Sequence, residues 1–354
     1  MADQEITTAP PSSPLVPLDF SSSHETVPES HIWVDSIELS PAMDLDEKLS
    51  LPVIDLLDDT TASELIGKAC QQWGMFQLIN HGVPKSIIAE TEDEARRLFA
   101  LPTTQKMKTF GPGNTGYGMV PLSKYHSKSM WHEGFTIFGS PLDDAKKLWP
   151  SDYKRFCDVM EEYQRKMKGL ADRLMRLILK FLDISEEEIM KLMFTPEDSS
   201  KIYTALRLNL YPPCPDPDRV VGMASHTDTS FFTIIHQARN DGLQIFKDEA
   251  GWVPLSPTSG TLMVNVGDLL QILSNGRFPS ILHRVMIQEK MEDRLSLAYF
   301  YTPPPHIYIA PYCKPLSESP QIPLYRCVTV KEYSTSKSNN NFKGLSTVKI
   351  SSLI

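Results

Sequence analysis

The sequence predicts an α+β protein: helices in the first half, one of them long, packed on a β-sandwich or jelly-roll core in the second. Two observations carry this. Between Asp152 and Asp183 the residues Tyr153, Phe156, Met160, Tyr163, Met167, Leu170, Leu174, Leu177 and Phe181 recur at spacings of three and four, the period of one helix face. After residue 200 the period drops to two, in the runs IYTALRLNLY, SFFTII, GLQIF, GWVPL, TLMVNV, SILHRVMI and RLSLAYFY. Short β-rich runs split by Gly, Pro, Asn and Asp read as strands of a sandwich or jelly roll.

Taken in order, residues 1–48 are rich in Pro, Ser, Asp and Glu and lack periodicity. They are expected as a flexible tail with a short ordered patch at Ile32 and Trp33. LPVIDL (51–56) reads as a strand. Thr61 to Gly74 reads as a helix opened by a Thr61/Glu64 capping box and stopped by Gly74. MFQLIN (75–80) is a strand closed by the His81-Gly82 turn. A second helix begins at Pro84, carries Ile87, Ile88, Ala95, Leu98 and Phe99, and ends before Pro102. Residues 110–150 are punctuated by Gly and Pro and hold the aromatic run MWHEGFTIFGSP. The long helix follows, and Ser185 and Glu188 box a short one after it. The polar run STSKSNNNFKGLSTVKI (334–350) is expected to fray. The chain thus divides into a tail (1–48), an N-terminal region (49–150), a helical spine (151–199), a β core (200–305) and a C-terminal segment (306–354).

Composition narrows the function. Hydrophobic residues make up 41% of 354 residues, enough for a substantial core, and the net charge is -9. An acidic balance argues against a nucleic-acid partner, which wants a basic face. Five cysteines, odd in number and without a C-x-x-C pair, read as reduced thiols. The start MADQEITTAPPSSP has no apolar signal-like region, and LMRLILKFLDI (174–184) is too short and too charged to span a bilayer. The expectation is a cytoplasmic monomer with no membrane contact.

The chemistry sits in the second half. In His226-Thr227-Asp228, residues two apart on extended backbone point the same way, so an imidazole and a carboxylate converge. H-x-D alone is frequent by chance. His283 adds a second imidazole from a strand on which His283, Val285 and Ile287 share a face. Two His and one carboxylate with open positions form the facial triad of non-haem iron(II) oxygenases; a structural zinc site closes with four ligands, often Cys. Arg294 and Ser296 follow eleven and thirteen residues after His283 and share a face with Ala298 and Phe300. An inward Arg needs an anionic partner and grips a carboxylate through two parallel hydrogen bonds. Asn209 and Tyr211 share one face of the strand from Arg207 to Tyr211, which suits the cluster to a dicarboxylate. Phe135 and Phe300 are candidate walls of a substrate pocket, with core packing the alternative for each.

The motifs WGMFQLINHGVP (73–84), LRLNLYPPCPDP (206–217), ASHTDTSFFTII (224–235), GLQIF (242–246), VNVGDLLQILSNG (264–276), SILHRV (280–285) and DRLSLAYF (293–300) closely resemble the plant 2-oxoglutarate- and Fe(II)-dependent dioxygenases over residues 50–335. Within that family, GYGMVPLSKYHSKSMWHEGFTIFGSPLDDAKKLWP (116–150) and CDVMEEYQRKMKGLADRLM (157–175) resemble gibberellin 3-beta-hydroxylases. The resemblance implies a double-stranded β-helix core with iron at its open end. It implies iron on His226, Asp228 and His283, and the distal carboxylate of 2-oxoglutarate on Arg294 and Ser296, assisted by Tyr211 and Asn209. It further implies O2 as cosubstrate, ascorbate as reductant and 3β-hydroxylation of a gibberellin, a small apolar acid. Gibberellin 2- or 20-oxidation, hydroxylation or desaturation of a specialised metabolite, and non-catalytic hormone binding remain as alternatives, as does a zinc-binding structural protein.

Overall fold

The computed structural model describes residues 18–20, 25–33, 36–40, 42, 51–110, 115–118, 126–185, 187–188, 203–238, 242–256, 258–287, 292–313, 322–340 and 343–350. Its strands, in chain order, are β1 (Val53–Asp55), β2 (Met75–Ile79), β3 (Gly116–Tyr117), β4 (Glu133–Phe138), β5 (Tyr203–Tyr211), β6 (Val221–His226), β7 (Phe232–Gln237), β8 (Leu243–Lys247), β9 (Gly251–Pro254), β10 (Leu262–Val266), β11 (His283–Met286), β12 (Arg294–Thr302), β13 (Tyr308–Ile309) and β14 (Val328–Thr329). A large sheet has the order β1-β2-β10-β7-β12-β5-β4-β3, and a small one the order β6-β11-β8-β9. Within both, neighbours run antiparallel except β1 and β2, which are parallel. This is the jelly-roll core that the period-two runs predict.

Alternation along the large sheet gives it two coats. Leu206 and Leu208 of β5, Leu295, Leu297 and Tyr299 of β12, and Ile234 of β7 turn to one side. There they share one apolar cluster with Phe156, Met160, Tyr163, Met167, Leu170 and Leu174 of the long helix, Lys154–Phe181. Each such buried side chain contributes about 1.5–3 kcal/mol. The intervening residues Arg207, Asn209, Tyr211, Arg294, Ser296 and Ala298 turn the other way, into a cavity between the two sheets. The helix therefore fixes the sheet, and the sheet presents a polar inner face.

Several expectations are refined. The first helix, Asp59–Gln72, starts earlier than predicted: its N-cap is Asp58, whose carboxylate accepts from the Thr60 and Thr61 amides, and Glu64 pairs with Lys68 instead of closing a box. Asp58 competes better for the free amides because its acceptor is charged. The second helix, Lys85–Phe99, starts one residue after the expected Pro84, which stands at its N-cap. The Ser185/Glu188 box forms reciprocally, although most of the helix expected after it lies outside the described residues. β4 and β6 stand where no strand was expected. In β4, Phe135 and Ile137 alternate with Gly134 and Thr136, a period obscured by the flanking Gly and Pro.

The ordered patch expected at Ile32 and Trp33 is larger than two residues. Short 3-10 turns span Glu29–His31 and Ile37–Leu39. The Trp33 indole is buried and donates to the Ser129 carbonyl at 2.8 Å. Glu38 accepts from the Ser225 amide and hydroxyl, both at 2.8 Å. Residues 1–17 and 43–48 of the expected tail lie outside the described residues. At the other end, the run expected to fray lies largely in two helices, Val330–Asn339 and Gly344–Val348, where Lys337 and Val348 are buried together with Tyr333 just before it. A buried anion, Asp268, holds it: Tyr333 Oη donates to the carboxylate at 2.7 Å and Lys337 Nζ at 2.5 Å.

Candidate active site

His226 ends β6 and His283 begins β11, and the two residues are register partners across the small sheet. Their ring centroids lie 4.2 Å apart. Asp228, two residues beyond His226, brings Oδ1 to 3.7 Å from His226 Nε2 and 4.0 Å from His283 Nε2. Each imidazole is oriented in the same way. His226 Nδ1 lies 2.8 Å from the Ala224 carbonyl and His283 Nδ1 3.1 Å from the Ile281 carbonyl. A carbonyl can only accept, so each Nδ1 donates its proton there and each Nε2 is left facing the cluster. The other carboxylate oxygen, Asp228 Oδ2, accepts from Thr233 Oγ1 at 2.6 Å and Asn265 Nδ2 at 2.9 Å. Two imidazole nitrogens and one carboxylate oxygen thus converge within 4.8 Å of one another. This set of two imidazoles and one carboxylate fits a divalent iron with open positions.

The electrostatics agree. Burial, reinforced by the neighbouring His283, pushes the His226 pKa down to about 3. Burial opposes ionisation of Asp228, but His283, His226 and the two hydrogen-bond donors outweigh it and hold the carboxyl below its usual range. The loop between the ligands is braced from outside. Thr227 accepts from Lys337 Nζ on its carbonyl at 2.8 Å and on its hydroxyl at 3.0 Å. The Asp268 amide donates to the Asp228 carbonyl at 2.8 Å.

The cavity between the sheets contains the three converging residues together with Arg294, Ser296, Tyr211, Asn209 and Phe300. Arg294 pairs with Tyr211 and Ser296 with Asn209 across β12 and β5. The Arg294 guanidinium lies over the Tyr211 ring at 4.9 Å and donates to Gln237 Oε1 at 2.5 Å. All of the residues predicted for the iron and the dicarboxylate are therefore brought to one cavity. Phe135 is not. It pairs with Leu208, is fully buried, and meets Phe156 of the long helix edge-on at 6.3 Å. On β4 it belongs to the apolar coat, so its expected place in a substrate pocket is corrected to the core.

Sequence reasoning missed Thr233 and Asn265, which fix Asp228, and Arg207, which lines the same cavity. For Arg207 the signal was present: it precedes Asn209 and Tyr211 at the same two-residue step. Thr233 sits inside SFFTII, where its alternation with Phe232 and Ile234 marks the inner face.

The 2OG-Fe(II) oxygenase superfamily matches residues 203–303, and the family described as non-haem dioxygenase in morphine synthesis N-terminal matches residues 51–154. The chain belongs to the 2OG-Fe(II) oxygenase superfamily, and its chemistry runs on Fe(II) and 2-oxoglutarate. Among curated proteins it is 44% identical to gibberellin 3-beta-dioxygenase 1 of Pisum sativum over 94% of this chain and 89% of the relative. It is 42% identical to gibberellin 3-beta-dioxygenase 1 of Arabidopsis thaliana over 94% of this chain and 92% of the relative. Among solved structures, JOX2 in complex with 2OG, Fe and JA aligns with a TM-score of 0.76 at 29% identity, covering 93% of this chain and 96% of that one.

Proposed function

We propose that the protein is a gibberellin 3-beta-dioxygenase, hydroxylating a gibberellin at the 3β position. In this reading His226, Asp228 and His283 hold Fe(II). Arg294 and Ser296, assisted by Tyr211 and Asn209, hold the distal carboxylate of 2-oxoglutarate. The observation that carries the iron assignment is the convergence of two Nε2 atoms and Asp228 Oδ1, each side chain fixed by a hydrogen bond on its far side. The substrate assignment is supported by the 44% and 42% identities to proteins of that name over nearly the whole chain. Iron, when bound, supplies the dioxygen chemistry that couples decarboxylation of 2-oxoglutarate to oxidation of an unactivated C–H bond, with ascorbate keeping the metal ferrous.

The chain's own residues orient and enclose. Arg294 offers a planar fork that matches a carboxylate, and Ser296 adds a hydroxyl beside it. Met223, Ile235, Leu243 and Val285 line the cavity with apolar surface, which keeps bulk water from the reacting centre. Phe300, half-buried at the far end of the same face of β12, walls the side where the organic substrate enters. We read the enzyme as a cytoplasmic monomer: one chain supplies every residue of the site, and all five cysteines are free thiols.

The test is product identification. Protein supplied with Fe(II), ascorbate, 2-oxoglutarate and a gibberellin lacking the 3-hydroxyl is expected to yield the 3β-hydroxylated product and succinate. Oxidation at carbon 2 or 20 of the same substrate, or at no carbon, overturns the assignment.

A further inference from the structure

Strand β6 carries one residue more than its partner beside the candidate iron ligands. His226 is opposite His283 and Met223 is opposite Val285, so a step of three residues on β6 faces a step of two on β11. The extra residue is a β-bulge at Ala224 and Ser225. A bulge disrupts the ladder locally and re-aims the side chain beside it, here the His226 imidazole. Buried amides and carbonyls displaced from a ladder need other partners, and side chains supply them. The Ala224 carbonyl lies 2.8 Å from His226 Nδ1, and the Ala224 amide points to Met130 Sδ at 3.5 Å. The Ser225 amide donates to Glu38 Oε2 and its hydroxyl to Glu38 Oε1, each at 2.8 Å.

Both outside partners of the bulge are held by one stretch of chain near the N-terminus. Trp33 Nε1 donates to the Ser129 carbonyl at 2.8 Å, and the Ser129 amide donates to the Ser30 carbonyl at 2.7 Å. Met130 follows Ser129 directly. The Trp33 amide donates to the Arg219 carbonyl at 2.9 Å, just before β6. The stretch reaches the second histidine as well. Arg284, next in sequence to His283, donates from Nη1 to the Glu38 carbonyl and from Nη2 to the Ser40 carbonyl, each at 2.5 Å. Its Nε is on Gln244 Oε1 at 2.9 Å and its guanidinium lies over Trp252, so Arg284 is fixed from the sheet side. Residues 38–40 thus touch the chain neighbour of each histidine. Glu38 is 8% exposed. A carboxylate is costly to bury unless hydrogen-bonded, and bonds to an ionised acceptor are roughly twice as strong as neutral ones. Its two bonds to Ser225 are therefore a firm brace on the bulge.

We propose that Glu38 is a positioning residue of the iron centre: it locks the Ala224–Ser225 bulge, and the N-terminal segment that carries it thereby sets the aim of His226 and the tightness with which ferrous iron is held. The proposal rests on the assignment of iron to His226, Asp228 and His283 made above. Coupling between two sites is reciprocal in binding free energy. Loosening the segment weakens iron binding, and iron binding tightens the segment.

The experiment uses the full chain and Fe(II) alone as probe, in anaerobic titration and in amide hydrogen exchange read by mass spectrometry. Glu38→Ala is expected to bind Fe(II) about 10-fold more weakly, the lower end of what losing a partner around a metal ligand costs, with an unchanged circular dichroism spectrum. Glu38→Gln, which keeps one acceptor oxygen for Ser225, should fall between that variant and wild type. In wild type, Fe(II) should slow exchange in peptides containing Glu38; in His283→Ala it should not. Wild-type iron affinity in Glu38→Ala overturns the proposal, and so does a lowered urea midpoint with iron affinity unaltered, which marks Glu38 as structural only. Exchange around Glu38 that is indifferent to iron in wild type overturns it too. Should Glu38→Ala fail to fold, Glu38→Gln and the wild-type exchange measurement still decide. Equal iron binding by wild type and His283→Ala, or none by wild type, overturns the iron assignment and this proposal with it. Iron held by wild type, lost in His283→Ala and kept in full by Glu38→Ala overturns the positioning role alone.

Discussion

Lys337 Nζ lies 2.8 Å from the carbonyl oxygen of Thr227, the residue between His226 and Asp228. The same ammonium meets Asp268 at 2.5 Å, with both side chains almost fully buried. A C-terminal helix thus reaches into the loop that sets the angle between two candidate ligands. Removing one partner of a buried pair leaves the other charge uncompensated, at about 3–5 kcal/mol. Lys337→Met is therefore expected to lose that much stability in urea denaturation. Adding Asp268→Asn should return part of it, since the orphaned charge goes too.

Asp228 Oδ2 is held by Asn265 and Thr233. Partners of this kind tune ligand orientation, and losing one typically weakens metal binding about 10- to 100-fold. Asn265→Ala should show that loss in an anaerobic Fe(II) titration, with an unchanged circular dichroism spectrum.

Phe135 and Phe300 separate by alternation. Phe135→Ala opens a hole against Phe156 and Leu208 and is expected to cost about 3–5 kcal/mol. Phe300→Ala removes a half-buried wall, with a stability loss of about 1 kcal/mol or less, and acts on the KM of the organic substrate. Parallel denaturation and steady-state kinetics on the two variants check this contrast.

His132 gives a pH dependence. Burial, helped by the positive Arg207 and His31, pushes its pKa down to about 3, and neither ring nitrogen has a hydrogen-bond partner among the described residues. In the unfolded chain the value is about 6.5. Above that pH both states are neutral and stability is full. As pH falls below it, only the unfolded state takes up the proton, and stability drops by about 1.4 kcal/mol per pH unit until the folded pKa is reached. His132→Phe, which keeps a ring against Tyr211, should lose about 1 kcal/mol less than wild type between pH 7 and about pH 5.5. Urea midpoints at the two pH values measure it.

Much of this is legible in the sequence. Period two in RLSLAYFY and ALRLNLY separates an apolar coat from Arg294, Ser296, Asn209 and Tyr211, and the structure keeps that division. The H-x-D step and the distant His283 converge because strand register, not sequence distance, brings them together. What the sequence concealed depends on tertiary partners. Lys337 looks like a solvated charge in a polar tail until Asp268 is placed under it. Phe135 looks equally suited to pocket or core until β4 is paired with β5. Gly134 reads as a loop residue until the Arg207 side chain lies across it.

Anaerobic equilibrium dialysis of Fe(II) against wild type and His283→Ala tests the iron centre most directly. One ferrous ion per wild-type chain, with binding to the folded His283→Ala protein falling below one-tenth of that, is the predicted result. Equal iron occupancy in the two proteins would contradict the assignment of His226, Asp228 and His283.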